Sequence, residues 1–179
     1  GAAVMANVEH NVSLISGIHD LLPNRTGGVV MQKNLESLGD IIYTEEEIEF
    51  AMQMQKENGK PTLGIDGKIR PLRETLESPG GGSTDVGDVS YNVPVVSLAA
   101  TTAPKGVPWH SWSVVASSGM SIGHKGMLHA TKALGMTMID IFKDKNLRDE
   151  IKKEFDERIG NYKYDPFLDP GPPPIDYVD

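Results

Sequence analysis

The pattern that most restricts this fold is a long apolar stripe of helical period. From His124 to about Lys143, the residues Met127, Leu128, Thr131, Leu134, Met138, Ile141 and Phe142 keep i, i+3, i+4, i+7 spacing. That period belongs to an amphipathic α-helix, so the remainder of the chain must offer a surface that covers the stripe. Packing across one face of a sheet through Met127, Leu134 and Met138 is the expectation. A second helix is announced by Thr44-Glu45-Glu46-Glu47, a capping box in which Thr44 accepts from the third backbone N–H and Glu47 reaches back. Its acidic cluster also suits the positive end of the helix dipole. The helix runs to about Asn58, and Gly59 ends it. A shorter helix is expected over about 27–38, with Val30, Leu35 and Leu38 inward and Gly39 as its stop. Asn146 is expected to cap a charge-rich helix through Leu147, Ile151 and Phe155.

Other segments read as strands. Over residues 8–18, Val8, His10, Val12, Leu14, Ser16 and Ile18 alternate with Glu9, Asn11 and Ser13, the period of a half-buried antiparallel strand. Pro23 and Asn24 break it. Two short strands are expected over about 93–99 and 112–116, the first apolar on both sides as if buried between helix layers. Residues 59–83 are punctuated by Gly59, Pro61, Gly64, Gly67, Pro71, Pro79 and the glycines at 80–82. A flexible linker and a long active-site loop both fit that composition. From Tyr164 onward, Pro166, Pro170 and Pro172 to Pro174 exclude regular structure.

Composition removes several classes of function. The 179 residues suffice for one domain, and 25 acidic against 17 basic side chains give a net charge of −8. A nucleic-acid binder carries the opposite balance. The longest apolar run, Val93 to Ala100, is strand length and interrupted by Pro94, well short of a membrane helix. Asn7, Glu9, His10 and Asn11 stand where a secretory leader needs an unbroken apolar stretch. A soluble, cytoplasmic protein is therefore expected. With no cysteine there is no disulfide framework and no thiolate zinc site, so any metal must be held by His and carboxylates.

Few residues offer chemistry. Gly80-Gly81-Gly82-Ser83-Thr84-Asp85 has the glycines of a phosphate cradle but lacks the Gly-Lys-Ser/Thr ending of a P-loop. The segment from Val86 to Tyr91 does not read as a long helix whose N-terminus could hold an anion. Two readings stay open: glycines that let backbone approach a substrate while Asp85 orients the loop, or a linker. Of the five histidines, His10 and His19 fall on the first strand pattern, and His129 lies near the apolar stripe as a core histidine would. His124 opens the long helix without an evident role. His110 differs, since Gly106-Val107-Pro108-Trp109-His110-Ser111 places it on a loop entering an expected strand, where neutral imidazole can ligate a metal. Ser111 beside it would point to the other face of an extended chain, which argues against a Ser/His nucleophile pair.

Three segments share one order and spacing: Gly82-Ser83-Thr84-Asp85-Val86-Gly87-Asp88-Val89-Ser90, Gly106-Val107-Pro108-Trp109-His110-Ser111-Trp112, and His124-Lys125-Gly126-Met127-Leu128-His129-Ala130-Thr131-Lys132. Together they resemble the C-terminal part of the p-aminobenzoyl-glutamate hydrolase-like amidohydrolases, within the dizinc aminoacylase/carboxypeptidase metallopeptidase family. Ile15-Ser16-Gly17-Ile18-His19-Asp20-Leu21-Leu22-Pro23-Asn24 is similar to the last strand of that family's lid domain and its return to the catalytic domain. The resemblance implies an α/β fold, the C-terminal part of a zinc-peptidase-like three-layer sandwich with one remnant lid strand. On that reading residues 1–24 are the lid remnant and return linker, 25–163 the C-terminal half of the catalytic domain, and 164–179 an irregular tail.

The same resemblance assigns His110 to the metal site and Gly82, Ser83, Thr84 and Asp85 to the substrate pocket. It implies two Zn2+ or other divalent ions per complete site and water attack on an amide bond. An N-acyl amino acid, a dipeptide or an aminobenzoyl-glutamate-like compound would be the substrate. The family's His-x-Asp and catalytic Glu-Glu are absent from these residues, where Glu45 to Glu47 already serve as a helix cap. The expectation is thus a fragment with no catalytic residue of its own, inactive and without bound zinc, whose partner is the N-terminal half of the catalytic domain. Self-association into a homo-oligomer is left open, and neither nucleic acid nor membrane is expected as a partner. The alternative is a non-catalytic binding subunit that keeps the fold.

Overall fold

The computed structural model describes residues 1–12, 14–73, 82–168 and 170–171. Among them the chain forms α1 (Ala2–Ala6), α2 (Arg25–Leu38), α3 (Glu45–Glu57), α4 (Val86–Ser90), α5 (Trp112–Ser118), α6 (Ser121–Lys143) and α7 (Lys145–Ile159). Pro79, Gly80, Gly81 and Pro172 to Pro174, singled out in the sequence, lie outside the described residues.

Helix ends follow local chemistry. Asn24 caps α2 by accepting from the Gly27 N–H at 2.9 Å, and its amide donates to the Ile151 carbonyl of α7 at 2.9 Å. At the other end Gly39 takes φ 76 and returns its N–H to the Leu35 and Glu36 carbonyls. Both bonds of the α3 capping box form: Glu47 N–H to Thr44 Oγ1 at 3.3 Å, and Thr44 N–H to Glu47 Oε2 at 2.7 Å. The α7 cap is Asp144, whose carboxylate accepts from the Asn146 and Leu147 N–H groups at 2.8 and 3.2 Å. Asn146, expected in that role, already lies inside the helix.

The α/β sandwich expected from the sequence does not form. No strand or sheet occurs among the described residues; extended chain meets extended chain only at an isolated parallel bridge between Pro23 and Val95. Residues 8–12 and 14–18 belong to no helix or strand, and Val8, Val12, Leu14 and Ile15 are exposed, so the lid-remnant strand does not form among the described residues. Alternation produces a strand only when a neighbouring chain takes up its N–H and C=O groups, and none does so here. Residues 112–116 belong to α5 instead. Ser113 and Ser117, four apart and both fully buried, mark a helical face, and the Ser117 hydroxyl donates to the Ser113 carbonyl at 2.7 Å. A short apolar run does not distinguish the two periods.

The long helix forms but packs through its other side. Met127, Leu128, Leu134, Met138 and Phe142 are exposed, while Ile122, Gly123, Gly126, Ala133 and Thr137 are buried. Small residues win because they let backbone approach backbone. A Cβ on Gly126 would strike the Thr101 carbonyl, and one on Gly123 the Ser118 backbone. Ala133 completes a core with Met31 and Leu35 of α2, against which Val96 and Leu98 of the expected 93–99 strand also pack. Asn34 of α2 donates its amide to Thr137 Oγ1 at 3.0 Å and to Asp140 at 2.8 Å, satisfying the polar groups at this contact.

Glu47 links α3 to α6 through Lys125, whose ammonium donates to its carboxylate at 2.6 Å and to the Ile42 carbonyl at 2.9 Å. Burial pushes the Glu47 carboxyl up, but hydrogen bonds from Lys125, Ser121 and the Thr44 N–H, with the Lys125 charge, outweigh it and hold it at about 2. The stability this pair contributes is therefore complete above the ordinary carboxylate range and lost as pH falls from about 4.5 towards 2. Lys125→Ala should cost about 2 kcal/mol at neutral pH, the usual scale for a hydrogen bond to a buried charge. Urea unfolding of both proteins at a series of pH values should show that gap closing as pH falls through this window; a pH-independent gap would remove the ion pair as its cause. Among the described residues no helix is long and apolar enough to cross a membrane.

Candidate functional site

The loop Pro104-Lys105-Gly106-Val107-Pro108-Trp109-His110-Ser111 is too rich in Pro and Gly for helix or ladder, so it must be held from outside. Helix α3 holds it. Gln55, fully buried, donates its amide to the Gly64 and Lys105 carbonyls, each at 2.8 Å, and accepts from the Gly64 N–H at 2.8 Å. Asn58 reaches the far flank, donating to Ser113 Oγ at 2.7 Å. Between these anchors Gly106 adopts φ 77, Val107 is buried, and the Ser111 hydroxyl donates to the Pro108 carbonyl at 2.5 Å. His110 is left in the left-handed region at φ 59, with its side chain exposed. Few residues other than glycine adopt that conformation, and one that does is held there by its surroundings. The imidazole thus stands on a fixed turn, flanked in sequence by the exposed Trp109 and Trp112.

Gly82, Ser83, Thr84 and Asp85 are all exposed and lead into the single-turn α4. Thr84 sets the turn: its Oγ1 accepts from the Val86 N–H at 3.3 Å, and its carbonyl accepts from the Gly87 N–H at 3.3 Å. Asp85 occupies the cap position of α4, but its carboxylate makes no capping bond.

Sequence reasoning did not find what anchors this loop. The chain at His19 to Leu22 lies directly on α4, with the His19 carbonyl in the space a Cβ on Gly87 would need. Ser90 Oγ accepts from the Leu22 N–H at 2.9 Å. His19, its side chain only 7% exposed, is paired with Asp88 through Nδ1 at 2.7 Å, and its backbone N–H donates to the same oxygen at 3.2 Å. That bonding holds the Asp88 carboxyl below its usual range. His19 Nε2 meets the Tyr162 hydroxyl at 2.7 Å, and the ring stacks on Phe167 with centroids 4.4 Å apart, beside Tyr91 and Tyr164. The Tyr91 hydroxyl donates to Asp20 at 2.7 Å, which raises its pKa. Thus residues from both ends of the described chain clamp the helix that follows Asp85. Adjacent His19 and Asp20 were a legible hint; their partners, some 70 and 140 residues away, were not.

The remaining histidines are unlike one another. His129, expected in the core, is only half-buried; its Nε2 bonds the Gly39 carbonyl at 3.0 Å, whereas its Nδ1 is buried without a partner among the described residues. His10 and His124 are exposed. Among the described residues no three His, Asp or Glu side chains gather so as to hold a metal ion. His110 and the Asp85 loop are each shaped by the fold through separate anchors.

The chain is similar to the B subunit of p-aminobenzoyl-glutamate hydrolase from Escherichia coli (strain K12), with 32% identity over an alignment of 188 positions. The alignment takes in 92% of this chain and 39% of that protein, so the chain spans about two fifths of its relative's length. No family model matches the chain. No solved structure matches it.

Proposed function

We infer, from a similarity to a hydrolase subunit that runs along nearly the whole chain, that this polypeptide is the C-terminal part of a metal-dependent, cytoplasmic amidohydrolase. That similarity is the observation that carries the reading. The geometry of His110 supports it: an exposed imidazole on a turn held by Gln55, Asn58 and Val107 is suited to meeting a metal ion whose other ligands come from elsewhere. Two divalent ions, zinc or a similar metal, would polarise an amide carbonyl and acidify water when bound. His110 would supply one neutral nitrogen ligand. Gly82, Ser83, Thr84 and Asp85 would line the substrate, their orientation set by α4 and its clamp on His19. The substrate would be an N-acyl amino acid, a dipeptide or an aminobenzoyl-glutamate-like amide, the last class taken from the name of the relative.

The complete polypeptide containing this chain should release p-aminobenzoate from p-aminobenzoyl-glutamate, or the free amino acid from an N-acetyl amino acid. Turnover should vanish with a chelator and return with zinc. A complete protein that binds these compounds without cleaving them, at full metal content, would make the chain part of a binding subunit instead.

A further inference from the structure

Beyond α7 the chain turns back on itself. Gly160 adopts φ 56, Arg158 donates to the Pro23 carbonyl, and residues 162–167, in no helix or strand, then cross the segment bearing Gly17 and His19. Among the described residues their backbone makes a single hydrogen bond, from the Tyr162 N–H to the Ile159 carbonyl at 3.1 Å. Side chains hold the rest. The Tyr162 hydroxyl meets His19 Nε2, and Phe167 stacks on the same ring. Phe167 Cβ also lies 2.8 Å from where a Cβ on Gly17 would stand, so only glycine there admits it. Tyr162 and Phe167 are nevertheless 45% and 55% exposed, while the His19 side chain beneath them is 7% exposed. A segment fastened from one side by a few rings belongs to the part of a structure that opens most easily.

The ring under this segment is linked to the glycine-rich loop bond by bond. His19 Nδ1 faces a carboxylate oxygen of Asp88, which only accepts, so Nδ1 carries the proton and Nε2 of the neutral ring accepts from the Tyr162 hydroxyl. The Asp88 N–H in turn donates to the Asp85 carbonyl at 3.1 Å. We propose that residues 162–167 are a strap that fixes the Gly82–Asp85 loop through His19, with Tyr162 as a positioning residue for the ligand that loop meets. The bond at one ring nitrogen decides which nitrogen carries the proton and how the ring lies. With the strap fastened, His19 therefore presents Nδ1–H to Asp88 and keeps the first turn of α4 in place. With the strap open, the ring is uncovered and free to turn away from Asp88, and Asp85 loses the support beneath its carbonyl. The effect on substrate rests on the amidohydrolase reading, in which that loop lines the pocket; the ordering of the loop does not.

Two variants loosen the strap without altering His19, Asp88 or the loop. Tyr162→Phe removes only the hydroxyl, and Gly17→Ala places a methyl where Phe167 Cβ lies. Amide hydrogen exchange of this chain should rise about tenfold over residues 82–91 in both variants, with exchange in α2 and α6 unchanged. In a His19→Asn background Tyr162→Phe should add nothing, because the ring nitrogen that the hydroxyl met is gone. In the complete polypeptide, Tyr162→Phe should raise KM for p-aminobenzoyl-glutamate about fivefold and leave kcat within about twofold, as loss of uniform binding does. Unchanged exchange over 82–91 in both variants would overturn the strap. A rise shared by α2 and α6, or a full Tyr162→Phe effect in the His19→Asn background, would also overturn it, the first by making the effect one of general stability and the second by bypassing His19. Raised exchange with an unchanged KM would take the positioning role from Tyr162. If the unsubstituted complete polypeptide leaves p-aminobenzoyl-glutamate uncleaved, the hydrolase reading fails, and hydrogen exchange still decides the strap.

Discussion

On the proposed amidohydrolase reading, replacing His110 by asparagine in the complete polypeptide should reduce zinc-dependent turnover by roughly a thousandfold or more, because a metal's stabilisation of charge at the amide would be worth several kcal/mol. Asparagine tolerates the left-handed conformation that His110 holds at φ 59, so the turn from Pro108 to Ser111 should survive. The melting temperature of this chain should accordingly move by no more than about 2 °C, the shift expected for a change well under 1 kcal/mol in a protein of this size. His110→Ala should be as inactive and somewhat less stable, since alanine is poorly suited to that backbone. Metal content by atomic emission, turnover and thermal unfolding check the three parts. An asparagine variant that keeps its zinc and its rate would take His110 out of the metal site and leave the glycine loop as the chain's contribution.

The second large effect concerns stability. Gly126→Ala should destabilise the chain by about 3 kcal/mol, the upper end of what overpacking costs. The new methyl would run into the Thr101 carbonyl and sit 2.8 Å from Thr102 Cγ2, and backbone on both sides must separate to admit it. Gly135, further along the same helix, has nothing within 4 Å of its missing Cβ. Gly135→Ala should therefore stabilise by up to about 1 kcal/mol through helix propensity alone. Urea unfolding measures both. Similar changes at the two positions would mean that α6 does not press its glycine face on the 101–102 segment.

These outcomes separate what lies along the chain from what lies across it. The capping box at Thr44 and Glu47, the stop at Gly39 and the period of α6 were legible because each depends on residues within a turn or two of one another. Similarity to a hydrolase was legible for the same reason, since the motifs around Asp85, His110 and His124 are short and contiguous. Which side of α6 is buried was not. Hydrophobic period identifies a helix with two unlike sides, but a stripe is buried only if something covers it, and in this chain glycine-to-backbone contact decided the orientation first. Strands failed for a related reason: the alternation at 8–18 needed a hydrogen-bonding neighbour that the described chain does not bring, and 112–116 lie in a helix that turns Ser113 and Ser117 inward. At the candidate site the sequence determined the residue types, His110 and Gly82 to Asp85. Only the tertiary structure decided what holds them, through Gln55 and Asn58 for one and His19 with Asp88 for the other, because hydrogen bonds spanning some 50 to 70 residues leave no local pattern.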